Sequence, residues 1–181
     1  MLLGSLGCLS CGSSVNQAVR TEAFSVASAY QAAAERLTNL GQYVLRSETT
    51  ASRNLTGLTS SASLAAGTQD SLLAAYQVRL TDLQALVTEH QQLRQGFSDE
   101  HRALNAFLQE VERNTLNEAS AKEQTQAFKT GLSATEEAID RFEAKLAQAV
   151  MAYNEQVAYD ARYFNAAKLS ALPVPEATPT P

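Results

Sequence analysis

Two cysteines three positions apart, two histidines eleven apart and a run of carboxylates are the side chains here whose types and spacing could do chemistry. Cys8-Leu9-Ser10-Cys11 has the spacing of a redox dithiol or of half a zinc site, because a Cys-x-x-Cys turn can aim two thiolates at one ion. No second cysteine pair follows, so the zinc reading lacks its other ligands and a disulfide-stapled core is excluded. One helix would set His90 and His101 about 16 Å apart, too far to share a metal. Glu89, Asp99, Glu100 and Arg102 around them read as a solvated face. Glu136, Glu137, Asp140 and Glu143 could pair as acid and base, but the dipole of a starting helix favours such charges without any catalytic role. Asn54-Leu55-Thr56 fits a three-residue glycosylation pattern too short to carry a reading by itself. There is no glycine loop to cradle phosphate, no nucleophile elbow, no Cys-His pair and no His-Glu zinc helix. The expectation is a chain with no catalytic residue, cofactor or metal.

The thiol of Cys8 has a second reading. Leu2, Leu3, Leu6 and Gly7 precede it, and a small residue before a cysteine is where a secretory signal is cut and the thiol lipidated. A basic start is lacking, the apolar run is too short to span a bilayer, and Ser5 stands where a bacterial lipobox usually has Leu. A start codon placed too late would account for the shortfall. The rival is a plain apolar N-terminus on a soluble protein; the lipid anchor is the expectation carried forward.

The elements around these residues read as helices. All four prolines lie from Pro173 onward in the 181 residues, and Ala and Leu dominate a composition that is 45% hydrophobic with no Trp. A net charge of -5 with only 14 Lys+Arg offers no face able to neutralise several phosphates, so nucleic acid is excluded as a partner. Val15, Val19, Ala23, Val26, Tyr30, Ala33, Leu37, Leu40 and Val44 recur at steps of three and four, one stripe of a helix that continues more weakly through Ala51, Leu55, Leu58 and Ala62. Gly67 reads as a stop and Asp70 as the next cap, followed by a stripe of Leu73, Tyr76, Leu80, Leu83, Val87, His90 and Leu93 or Arg94. Gly96 with Ser98-Asp99 predicts a kink or turn before Leu104, Phe107, Leu108 and Val111. The polar span 114–129 is an exposed helix or a loose connection. Ser133 and Glu136 form a capping box after Gly131, opening a last helix with Ile139, Phe142, Leu146, Val150, Tyr153, Val157, Ala161 and Phe164 on one face. Tyr153 and Phe164 are core candidates, and Tyr159 and Tyr163 candidates for contact at an interface.

Three runs of residues stand out together. Val26, Tyr30, Asn39-Leu40, Val44, Leu55 and Leu58 form the first, and Leu80, Leu83, Ala85, Leu86, Val87, Leu93 and Arg94 a leucine-rich second. Thr135-Glu136, Ile139, Ala149-Val150 and Tyr153-Asn154 form the third, in order and without a gap. In their spacing these runs resemble the first long helix, the leucine-rich second helix and the Thr-Glu, Ile, Ala-Val and Tyr-Asn positions of the LemA family of bacterial envelope proteins. The likeness covers about half the chain. It departs at Thr38, where the family has proline, in the absence of the basic cluster upstream of Asn39, in two dozen or so extra residues between Arg94 and Thr135, and in the missing Phe-Pro after the last motif. It implies a helical protein tethered by its N-terminus, with no established activity.

The expected organisation is an anchor segment at 1–14, an elongated antiparallel bundle of three to four long helices at 15–169 and a Pro-rich disordered tail at 170–181. The expected function is a non-enzymatic, membrane-anchored module on the outer side of a bacterial membrane, working through protein contacts or self-association along its helix faces. A cytoplasmic coiled-coil adaptor is the alternative. Asn39 and Asn154, each beside a stripe residue, are expected at the edge of a buried seam, where an amide can bond across it and fix its register.

Overall fold

A computed structural model describes residues 15–60, 65–163 and 169–174. The readings placed on Cys8, Cys11, Ala62, Phe164 and the prolines from Pro175 onward lie outside the described residues. Three helices follow one another, α1 (Gln17–Thr59), α2 (Ala66–Glu112) and α3 (Glu118–Tyr163), with no strand among the described residues. They hold 43, 47 and 46 residues. At about 1.5 Å per residue each is some 65–70 Å long.

Asn16 starts α1, its side chain accepting from the Ala18 N–H at 2.8 Å. The stripe runs the full length of the helix. Past Arg46 it is carried by Ser47, Ala51, Asn54 and Leu58, all buried. Thr56 and Thr59 donate to the carbonyls four residues back, which keeps their hydroxyls satisfied without breaking the helix.

The start of α2 differs from the expectation at Asp70. The helix begins at Ala66 with Ala65 as a cap that makes no side-chain bond, and Asp70 is already inside it. Gln69 supplies the local bond instead, its Nε2 donating to the Leu58 and Thr59 carbonyls at the end of α1. Gly96 makes no turn, because α2 continues through it and Phe97 is buried on the same stripe.

Asn114 makes the turn after α2. It has φ 58°, the left-handed conformation, while its N–H donates to Val111 O and the Thr115 N–H to Glu110 O. These two bonds close a Schellman motif with asparagine where glycine is usual. The Asn114 Oδ1 then accepts from the Val15 N–H and from Arg20, each at 3.0 Å, so one residue ends α2 and fastens the beginning of α1. Asn117 caps α3 by accepting from the Ser120 N–H at 2.8 Å. The capping box at Ser133 and Glu136 is therefore not formed: both residues lie deep inside α3, whose buried line through Ala121, Thr125, Leu132 and Ile139 crosses Gly131. Residues 118–129 are the first turns of that helix.

Side-chain pairings set the register. Along α1 and α2, Val15 meets Asn114, Tyr30 meets Glu100, Leu37 meets His90 and Leu58 meets Gln69. Along α1 and α3 the numbers climb together, through Glu22 with Lys129, Arg36 with Asp140 and Glu143, and Asn54 with Tyr153. Between α2 and α3, Glu100 meets Thr135, Glu89 meets Lys145 and Tyr76 meets Tyr153. The core is one continuous line of side chains between the helices, each fully buried Leu, Ile or Phe adding roughly 1.5–3 kcal/mol.

His90 sits in that line, as the stripe predicted, and is not part of a solvated face. Its Nε2 is 2.8 Å from Leu37 O. A carbonyl only accepts, so Nε2 carries the hydrogen. The ring lies against Gly41, where an added Cβ would come within 2.4 Å of Cε1, and tilts toward Phe142 at 5.7 Å. His101 stacks on Tyr30 and lies tilted against Phe97. Glu100 likewise leaves the solvated face: half-buried, it accepts from the Tyr30 and Thr135 hydroxyls. Burial first, and then the charge of Glu100 and its hydrogen bond, push the Tyr30 phenol up to about 12.

Candidate functional site

Late in α1 the stripe puts an asparagine where a Leu or Val would be expected, and late in α3 another asparagine follows a buried tyrosine. These two residues face the groove between α1 and α3, and residues 169–174 run through it as a strap. Asn54 donates from Nδ2 to Ser170 O at 2.7 Å and accepts the Ser170 N–H on Oδ1 at 3.1 Å. Asn154 does the same two residues on, donating to Leu172 O at 2.9 Å and accepting the Leu172 N–H at 2.6 Å. Tyr43 donates its hydroxyl to Pro173 O. The Leu172 side chain is buried, at 2% exposure. Residues 170–174, expected in a disordered tail, are thus docked on the bundle, because two side-chain amides satisfy their backbone as a neighbouring strand would.

The floor of the groove is polar and buried. The second Nδ2 hydrogen of Asn54 goes to the Tyr153 Oη at 2.7 Å. Burial drives the Tyr153 phenol up while this hydrogen bond pulls it back. Tyr153 meets Tyr76 edge to face at 5.4 Å. Asp160, fully buried, accepts from Gln156 Nε2 on both oxygens, at 3.1 and 3.0 Å. The Tyr76 phenol is raised by burial and then by the nearby Asp160, although its hydroxyl makes no bond of regular geometry. This arrangement fixes the positions of Asn54 and Tyr153. Beside Val174 an open apolar trough of about 790 Å³ continues along α3 over Ala144, Ala147, Val150 and Met151.

The structure scatters the residues that the family resemblance singles out. Leu40, Val44, Ile139, Val150 and Tyr153 are core. Leu93 and Ala149 are half-buried against it, and Thr135 is half-buried on Glu100. Asn39 and Glu136 are exposed. Asn39 therefore stands away from the seam at which it was expected, since Leu40 takes the inward position on that turn. Asn154 is at the seam, but it bonds to the strap backbone and not to a neighbouring helix. Cys8 lies outside the described residues. Asn54, passed over as part of a glycosylation pattern, was detectable as a polar residue on the buried step Ala51, Asn54, Leu58.

No group of three or more metal-ligating side chains occurs among the described residues. No described helix is long and apolar enough to cross a membrane. No protein-family model, curated protein or solved structure matches this chain.

Proposed function

We propose that this chain is a non-catalytic interaction module of LemA type, an elongated antiparallel three-helix bundle tethered through Cys8 to the extracytoplasmic face of a bacterial membrane. The observation that carries the module reading is the strap: Asn54 and Asn154 each hold one of its residues by both the backbone N–H and the C=O. The antiparallel arrangement draws support from contacts that climb along α1 while falling along α2. The tether draws support from the apolar residues before Cys8 and from the position of Val15, fastened at the end of the bundle that holds Asn114. Asn54 lies about 58 Å farther along α1, so the groove would stand well clear of a membrane at the other end. The envelope assignment rests on the order and spacing of Asn39-Leu40, Val44, Thr135-Glu136 and Tyr153-Asn154.

The test is metabolic labelling with a clickable fatty acid in a bacterial host, followed by membrane fractionation. Wild-type protein should carry label and sediment with membranes, and Cys8→Ala should lose both. Label that survives in Cys8→Ala and disappears in Cys11→Ala would move the anchor. An unlabelled wild-type chain in the soluble fraction would remove the tether.

A further inference from the structure

We infer that the α1/α3 groove is a binding site for an extended peptide of a partner protein, and that residues 169–174 occupy it in cis as a stand-in for that ligand. The inference rests on the module reading above and names its partner chemistry. Asn54 and Asn154 each serve the N–H and the C=O of a single strap residue, and the two residues served, Ser170 and Leu172, are two apart. On an extended chain such residues face the same way, so the pair of asparagines reads a backbone spacing and not a particular side chain. The side-chain requirements are few. Leu172 fills a buried position, and the Pro173 carbonyl accepts from Tyr43.

The three side chains that bond to the strap, Asn54, Asn154 and Tyr43, are uncharged. The chemistry that fits is therefore an extended peptide segment with an apolar residue at the Leu172 position, where the side chain is buried while those of Ser170, Ala171 and Pro173 are exposed and Arg46 and Arg53 lie beside Pro173. The open trough past Val174 lets an occupant continue along α3, over the flexible, 58% exposed side chain of Met151. The strap competes for the site from within the same chain, so a peptide in trans binds only the fraction of molecules whose groove is open.

The test uses the full chain with the strap dislodged and the groove residues untouched. In Leu172→Glu a carboxylate replaces a buried apolar side chain, and burying that charge there disfavours the docked strap. The probe is a fluorescein-labelled synthetic peptide of residues 169–174, followed by anisotropy. It should bind Leu172→Glu at least about tenfold more tightly than wild type. Adding Asn154→Ala to Leu172→Glu should weaken binding by about tenfold. Ser170→Pro, which removes the N–H that Asn54 accepts, is a second releasing variant and should also bind. Circular dichroism confirms that each variant keeps the wild-type helix content.

Absence of binding to both folded releasing variants would overturn the inference, as would equal affinity for wild type and Leu172→Glu, or affinity indifferent to Asn154→Ala. Wild-type self-association in sedimentation that Leu172→Glu abolishes would assign the groove to a second copy and overturn the foreign partner. Fatty-acid labelling separates the two proposals: label at Cys8 without peptide binding removes the peptide site alone, and peptide binding without label removes the tether alone.

Discussion

Replacing Gly41 by Ala should destabilise this bundle, although the same change in an ordinary exposed helix stabilises it by about 1 kcal/mol. A Cβ at Gly41 would lie 2.4 Å from His90 Cε1 and 2.8 Å from Nε2, so the ring has to move. Overpacking of this kind costs roughly 1–3 kcal/mol. Moving the ring also breaks its bond to Leu37 O and strands a buried N–H, about 1–3 kcal/mol more. Set against the propensity gain, the net loss is about 3 kcal/mol, or some 6–12 °C in Tm for a chain of this size. The control is His90→Ala, in which the same substitution at Gly41 meets no ring and should be neutral or raise stability by about 1 kcal/mol. The double-mutant cycle thus predicts a coupling near 4 kcal/mol, measurable by urea denaturation followed at the helical circular dichroism band. A higher Tm in Gly41→Ala, or an equal loss with and without the His90 ring, would refute the packing argument.

Two further outcomes follow from the turn after α2 and from the buried phenols. Asn114→Gly keeps the left-handed backbone but loses the bonds to Val15 and Arg20, and should cost about 1–2 kcal/mol by denaturant titration. Asn114→Ala should cost roughly 1–2 kcal/mol more, because alanine resists that conformation; the reverse order would contradict the motif. Tyr30 ionises at about 12 in the folded chain against 10.0 for the free phenol, so the unfolded state loses its proton first as pH rises. Its contribution is fully present below pH 10 and declines as pH climbs from there through about 12. Melting across that window should show the decline, and Tyr30→Phe should shallow it; an unchanged slope would mean that the phenol is not held by burial and Glu100.

Helix type and core were legible because a three-four repeat over forty residues has no competing reading. Tyr30, His90 and Tyr153 all fell on stripes, and all three are buried. The boundaries were less legible. Gly96 and Gly131 looked like breaks, but one glycine costs a helix only about 1 kcal/mol. Burying Phe97 and Leu132 next to them outweighs that. Ser133 and Glu136 had the types for a cap, but the buried line through Ala121 and Thr125 was already helical. The strap left no local signal. Ser170 and Leu172 are held by residues 116 and 18 positions away, and nothing in a Pro-rich tail announces a distant amide. Asn154 was noticed for its place beside Tyr153, and its bonding partner emerged only from the fold.

Hydrogen exchange at the Ser170 and Leu172 amides, residue by residue, reads out whether Asn54 and Asn154 hold the strap by its backbone. Both N–H groups lie outside any helix, and both donate to an asparagine Oδ1. Both should exchange more slowly than in a free peptide of the same sequence. Protection at Ser170 should fall about tenfold or more in Asn54→Ala, and at Leu172 in Asn154→Ala, with the helix amides of α1–α3 still protected. Free-peptide exchange at both amides in the wild-type chain, beside well-protected helices, would contradict such a hold.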